Sequence, residues 1–229
     1  MVILILIAFI LACFSIDAIV KYSRRRRLQV ASKPEVTVKI FNEASVNIPM
    51  GVFFDRSHTW AFMEKNGQVK IGIDDFLLHI TGPLQKVKMK SPGEKIQKGD
   101  PIMTIVKNGK QLIVNSPISG VVKSNNFRLA DNGKLISESP FNEGWVYMVE
   151  PANWARETQF MFIAEKYREW LKNEFSRLKD FFAMAALPNN VGNLQLAYQD
   201  GGELVDHVLS ECTPEVWEEF QMKFINTSK

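Results

Sequence analysis

The sequence predicts a mainly β fold, a compact sandwich or barrel of short strands, with an apolar helix before it and amphipathic helices after it. Three observations carry this. Turn chemistry recurs between Gly51 and about Trp154, with Asn-Gly at 66–67 and 108–109, Thr-Gly-Pro at 81–83, Lys-Gly-Asp at 98–100 and Asp-Asn-Gly at 131–133; turns at such spacing separate the strands of an all-β domain. Met1 to Val20 is apolar apart from Ser15 and Asp17, about the length that crosses a bilayer core of roughly 30 Å. Beyond residue 155 large apolar side chains recur three or four positions apart, which places them on one face of a helix.

In chain order, residues 1–27 read as a transmembrane anchor closed by an Arg run, Arg24 to Arg27. The charge follows the apolar stretch instead of preceding it, so the segment reads as a spanning helix and not as a cleaved signal peptide. By the positive-inside bias the Arg run stays in the cytoplasm. The expected protein is therefore single-pass in the cytoplasmic membrane, with its soluble domain facing the cytoplasm.

Residues 28–50 read as a linker containing the β-branched strand VTVKIF. Residues 51–155 form the β domain, interrupted by a helical turn or two at IDDFLLHITG. Within it, two apolar runs, Ile102 to Val106 and Leu112 to Val114, flank Asn108-Gly109. That dipeptide favours the two-residue type I′ turn, in which both positions need φ > 0, so a tight hairpin is expected there.

Residues 156–229 form the helical extension. Phe160, Ile163, Tyr167, Trp170, Leu171, Phe175, Leu178 and Phe182 mark one long amphipathic helix, ended by Pro188. Its charges are of both signs, which suits packing on protein better than lying on anionic lipid. Thr213 reads as an N-cap and Pro214 as the first residue of a last helix, with Val216, Trp217, Phe220 and Phe224 on its apolar side. Two roles are open to these aromatics: closing the core, or forming a partner surface through Trp170, Phe175, Trp217 and Phe220.

Composition narrows the function. Of 229 residues, 46% are apolar and 23% charged, and the net charge of +3 is exceeded by Arg24 to Arg27 alone. The remainder is near neutral and carries no electrostatic footprint for nucleic acid. The two cysteines, Cys13 and Cys212, make no disulfide framework. His58, His79 and His207 are scattered without metal-ligand spacing, so no metal is expected. No Ser/His/Asp set, paired catalytic carboxylates or phosphate-cradling glycine loop can be assembled, and the chain does not read as an enzyme.

The stretch SHTWAFMEKNGQVKIGIDDFLLHITGP, with His58, Trp60, Gly72, Ile73 and Gly82, resembles the opening of the glycine cleavage system H protein. SPISGVV, with Pro117 and Gly120, and SESPFNEGWVYMVEPANW, with Trp145, resemble its later strands. The segment PGEKIQKGDPI through PISGVV is also similar to the wider biotinyl/lipoyl attachment domains. The resemblance implies a lipoyl/H-protein-like flattened β-sandwich, a barrel-sandwich hybrid of two related halves. It also implies a function, since that family carries a covalent lipoyl group on one hairpin-tip lysine and shuttles an aminomethyl group between enzymes.

Here the sequence departs from the family. Counting back from Pro117 and forward from Gly99 at the family's spacing reaches the same position, and it holds Gly109. The lysine is absent. Lys107 and Lys110 flank the position and are the possible displaced attachment sites. His58, Trp60 and Trp145 are expected to pack in the sandwich, and His79 to lie on the surface. The expected function is a non-catalytic scaffold or accessory module without cofactor, held at a membrane and bound to protein partners. The alternative is a lipoyl carrier of the glycine cleavage type, modified on Lys107 or Lys110. A glycine cleavage protein's terminal helix is shorter than the extension here, which favours the partner-surface role for the aromatics.

Overall fold

The computed structural model describes residues 21, 39–84, 86–185 and 203–226. The chain divides into two units, Met1–Val38 and Lys39–Lys229, and the account below concerns the second. The expected anchor, Met1 to Val20, and the Arg run lie outside the described residues. So do the first residues of the expected strand at 36–41, of which Ile40–Phe41 is described.

Three antiparallel sheets order the strands. β2 (Phe53–Phe54), β3 (Thr59–Met63), β4 (Val69–Ile73), β10 (Tyr147–Pro151), β9 (Gly120–Asn125) and β6 (Lys95–Ile96) lie side by side in that order. β5 (Lys86–Met89), β7 (Pro101–Lys107) and β8 (Lys110–Asn115) make a second sheet, with β8 at one edge. β1 (Ile40–Phe41) pairs with β11 (Leu204–Val205), Phe41 opposite Leu204. Tyr147 joins the two larger sheets. Its hydroxyl donates to the Ile102 carbonyl at 2.7 Å and accepts from the Lys90 N–H at 2.6 Å. Burial pushes this phenol up to about 12, so it remains a donor across the working pH range.

Two of the motif glycines are required by close approach. A Cβ on Gly72 would lie 2.6 Å from the indole of Trp60, which is fully buried across the β3–β4 pair. A Cβ on Gly120 would run into the Glu150 carbonyl and the Val149 side chain of neighbouring β10. Any larger residue at either position overpacks the sandwich.

Helix α1 (Asp75–Thr81) follows β4. Asp74 caps it, accepting from the Leu77 N–H at 2.8 Å, and Gly82 ends it at φ 69. Short helices α2 (Arg128–Asp131) and α3 (Lys134–Glu138) precede β10, and α4 (Trp154–Glu157) follows it. The expected single long helix is broken. A 3₁₀ turn covers Thr158–Phe160, and Phe162 then bonds Phe54 in both directions at 2.8 Å, as an isolated β-bridge. That pairing needs extended backbone, so α5 begins only at Ala164 and runs to Ala185. Phe160 and Ile163, expected on the apolar stripe, are consequently exposed.

α5 buries Tyr167, Leu171, Phe175, Leu178 and Phe182 in the same core as the strands. The expected boundary at residue 155 therefore does not divide the packing. α6 (Pro214–Phe220) starts at Thr213-Pro214 as the sequence predicts, although the Thr213 hydroxyl caps nothing. The expected partner surface is corrected here. Phe175, Trp217 and Phe220 are 4%, 1% and 0% exposed, because α5 and α6 lay these side chains against the sandwich and each other; Trp170 is partly buried against the core.

Among the described residues no helix is long and apolar enough to cross a membrane. α5 has the length at 22 residues, but Glu165, Lys166, Arg168 and Glu169 crowd its first turns, a charge density that a bilayer core does not admit.

Candidate functional site

The hairpin expected from Asn108-Gly109 is formed. Lys107 pairs with Lys110, and the two turn residues take φ 49 and φ 79. Both are the positive values a type I′ turn demands, which glycine meets without cost and a lysine would not. Nothing crowds a Cβ built on Gly109, so backbone conformation, and not space, is what glycine supplies there.

The flanking lysines do not project freely. Lys107 is 9% exposed, and its ammonium donates to the Thr81 carbonyl at 2.8 Å and to Ser210 Oγ at 2.6 Å. Ser210 Oγ in turn donates to the same Thr81 carbonyl at 2.8 Å. Burial, with Lys110 nearby, holds the Lys107 ammonium below its ordinary value, and Glu211 partly opposes this. The Lys110 ammonium donates to the carbonyls of Ser210 at 2.6 Å and Cys212 at 2.9 Å and lies 5.4 Å from the Trp217 ring centroid. Gly82 leaves room for this arrangement: a Cβ there would sit 2.8 Å from Lys107 Nζ and 2.9 Å from the His207 ring.

The same C-terminal segment is tied to α1. His79, expected at the surface, is half-buried; its Nδ1 donates to Asp206 Oδ1 at 2.8 Å, and its Nε2 lies 3.6 Å from Asp75. Burial works against its charge, but hydrogen bonds and charges from Asp75 and Asp206 outweigh it and raise the imidazole from 6.5 to about 9. A raised folded-state value adds stability that is whole below about 6.5 and is lost as pH rises through about 9. We therefore expect His79→Gln to destabilise the protein in urea melts at about pH 6, and the difference from the parent to vanish by about pH 10. A difference that stays constant across that interval would show that the pair does not titrate.

A second polar cluster lies in the interior. His58, fully buried at φ 58, sets Nδ1 2.9 Å from Asp74 Oδ2. The Tyr167 hydroxyl donates to the same oxygen at 2.5 Å. Burial lowers the His58 imidazole, yet the charge and hydrogen bond of Asp74 more than compensate and hold it above its ordinary value. His58 Nε2 and Glu174 Oε2 are buried without a hydrogen-bond partner among the described residues. The cluster lies inside the protein and joins β3, α1 and α5; it has no open face for a substrate.

The motif residues thus separate. Gly109, Lys107, Lys110 and Gly82 meet at the hairpin tip, whereas His58 and Trp60 are buried, Pro117 and Gly120 lie buried at β9, and Trp145 packs partly buried against the core. Sequence reasoning missed the part played by the Thr81 carbonyl at the end of α1 and, in the tail, Asp206, Ser210 and Cys212. The tail residues' signal was weak, a short polar run between apolar positions, and it becomes readable only once the tail is known to reach the hairpin.

Comparison with known proteins bears on the same region. The family model for the glycine cleavage H-protein matches residues 52–174. The glycine cleavage system H protein of Stenotrophomonas maltophilia (strain K279a) is 35% identical over 127 residues, covering 56% of this chain and 96% of that protein. That of Methylococcus capsulatus is 31% identical over 122 residues, 53% of this chain and 94% of that protein. A crystal structure of a glycine cleavage system H protein from Mycobacterium marinum aligns over 46% of this chain and 87% of that one, with 24% identity and a TM-score of 0.44. The expected localisation, single-pass in the cytoplasmic membrane with the domain facing the cytoplasm, is corrected: no described helix can span a bilayer, and the relatives are glycine cleavage H proteins.

Proposed function

Because the chain belongs to the glycine cleavage H-protein family, we propose that it is a non-catalytic protein-binding module, a scaffold or accessory subunit of a larger assembly, that has given up the family's swinging arm. The observation that carries this reading is the hairpin tip. Gly109, where the family's spacing would put the lysine, sits in a left-handed turn, and both neighbouring ammonium groups are spent on bonds within the chain.

The lipoyl group that the family implies does not fit these residues. Forming its amide requires a deprotonated, approachable Nζ. Lys107 Nζ is buried between Thr81 and Ser210, and Lys110 Nζ is held by two carbonyls. Family membership favours a second reading, a lipoyl carrier modified on Lys107 or Lys110. Intact mass separates the two. Protein produced in a lipoylation-competent host is expected to show the unmodified mass, and a lipoyl increment mapped to Lys107 or Lys110 would replace the scaffold reading with the carrier.

A further inference from the structure

We propose that residues 203–226 are a built-in lock on the β7–β8 hairpin, withholding Lys107 and Lys110 from acylation and closing the β8 edge to any strand-pairing partner. The inference rests on the reading of the hairpin as armless and adds how that state is kept.

The segment is attached along its whole length. At its start β11 pairs with β1, and the Asp206 and His207 N–H groups donate to the Lys39 carbonyl at 2.9 Å and the His79 carbonyl at 2.7 Å. In its middle, the turn Val208–Glu211 presents Ser210 and the chain carbonyls to the two ammonium groups. Trp217 then packs beneath, fully buried, its Nε1 donating to the Leu209 carbonyl at 2.7 Å.

At its end the Gln221 side-chain amide makes two bonds to one residue of the edge strand. Its Oε1 accepts from the Ile113 N–H at 2.6 Å, and its Nε2 donates to the Ile113 carbonyl at 3.0 Å. These are the bonds a neighbouring strand would make, so the amide stands in for that strand and blocks it. A buried ammonium without a carboxylate depends on every oxygen it reaches, and Lys107 draws one of its two oxygens from the lock. The lysines therefore hold the segment, and the segment covers the lysines.

Limited acetylation of the intact chain with N-hydroxysuccinimidyl acetate, read by peptide mass spectrometry, tests this. Lys65 and Lys134 are exposed and set the reference rate. Lys107 and Lys110 are expected to react at least about tenfold more slowly, since reaction must wait for local opening. A depressed Lys107 ammonium would speed reaction at an accessible site, so slow labelling reports cover. Rates equal to the reference overturn the lock.

The variants Ser210→Ala and Trp217→Ala assign the cover to the segment. Ser210→Ala should raise Lys107 labelling, and Trp217→Ala should raise both lysines with Lys65 unchanged. Should Trp217→Ala fail to fold, Ser210→Ala alone decides, and labelling like the parent's means the sandwich itself supplies the protection and the lock is wrong. Fast acetylation without lipoyl mass defeats the lock and leaves the armless reading standing. A lipoyl mass on either lysine defeats both, since attachment is itself an acylation of Nζ that the lock is proposed to prevent.

Discussion

Replacing Asp74 with Ala is expected to destabilise the protein by about 3–5 kcal/mol, the cost of removing one partner from a buried charge pair. Asp74 is fully buried and serves three elements at once: it caps α1 through the Leu77 N–H, takes the His58 imidazole on β3's approach, and accepts the Tyr167 hydroxyl from α5. Ala leaves each donor in the interior without an acceptor. His58 loses the main charge that holds its imidazole up, and burial, opposed then only by Glu174, pushes it toward the neutral form. Asp74→Asn keeps an acceptor for the cap and should lose less. Tyr167→Phe removes a single bond to a charged group and should cost about 1.5–3 kcal/mol. Urea unfolding of the three variants beside the parent gives this order directly, and an Asp74→Ala midpoint equal to the parent's would show that the cluster contributes no net stability.

The cluster also explains why the helical extension cannot be read as an appendage. Tyr167 lies on α5, stacked on Phe54 of β2 with centroids 4.0 Å apart, and its hydroxyl ends on the residue that starts α1. Sheet, short helix and long helix therefore share a single acceptor. Separating α5 from the sandwich strands a buried carboxylate and a buried histidine together.

Local chemistry made part of this legible. The positive φ values of Asn108 and Gly109, the end of α1 at Gly82 and the start of α6 at Thr213-Pro214 all follow from residue types whose preferences act over a few positions. The break before α5 was not legible, because helical spacing continues through Phe160 and Ile163 while a tertiary bridge to Phe54 imposes extended backbone at Phe162. The cover over the hairpin was hidden for a related reason. Lys110 and Cys212 are far apart in sequence, and an apolar stripe fixes which side of a helix is buried without naming what buries it. That gap is why Phe175, Trp217 and Phe220 could be read as a partner surface when they are core.

Phe175→Ala should therefore act as a core deletion, costing about 3–5 kcal/mol, as large-to-small changes at buried phenylalanines do. The ring is 4% exposed and lies 4.8 Å from Phe41 and 5.1 Å from Phe76, the latter edge-on, so its removal opens a void among aromatics from β1, α1 and α5. Trp170 provides the contrast on the same helix. It stacks on Phe162 at 5.2 Å and lies 5.3 Å from the His58 ring, but it is only partly buried, so its neighbours can relax and water already reaches part of it. Trp170→Ala should cost less than Phe175→Ala. Thermal and urea melts of the two single variants check the ranking, and a Phe175→Ala protein as stable as the parent would return this face of α5 to the surface and reopen it as a partner site.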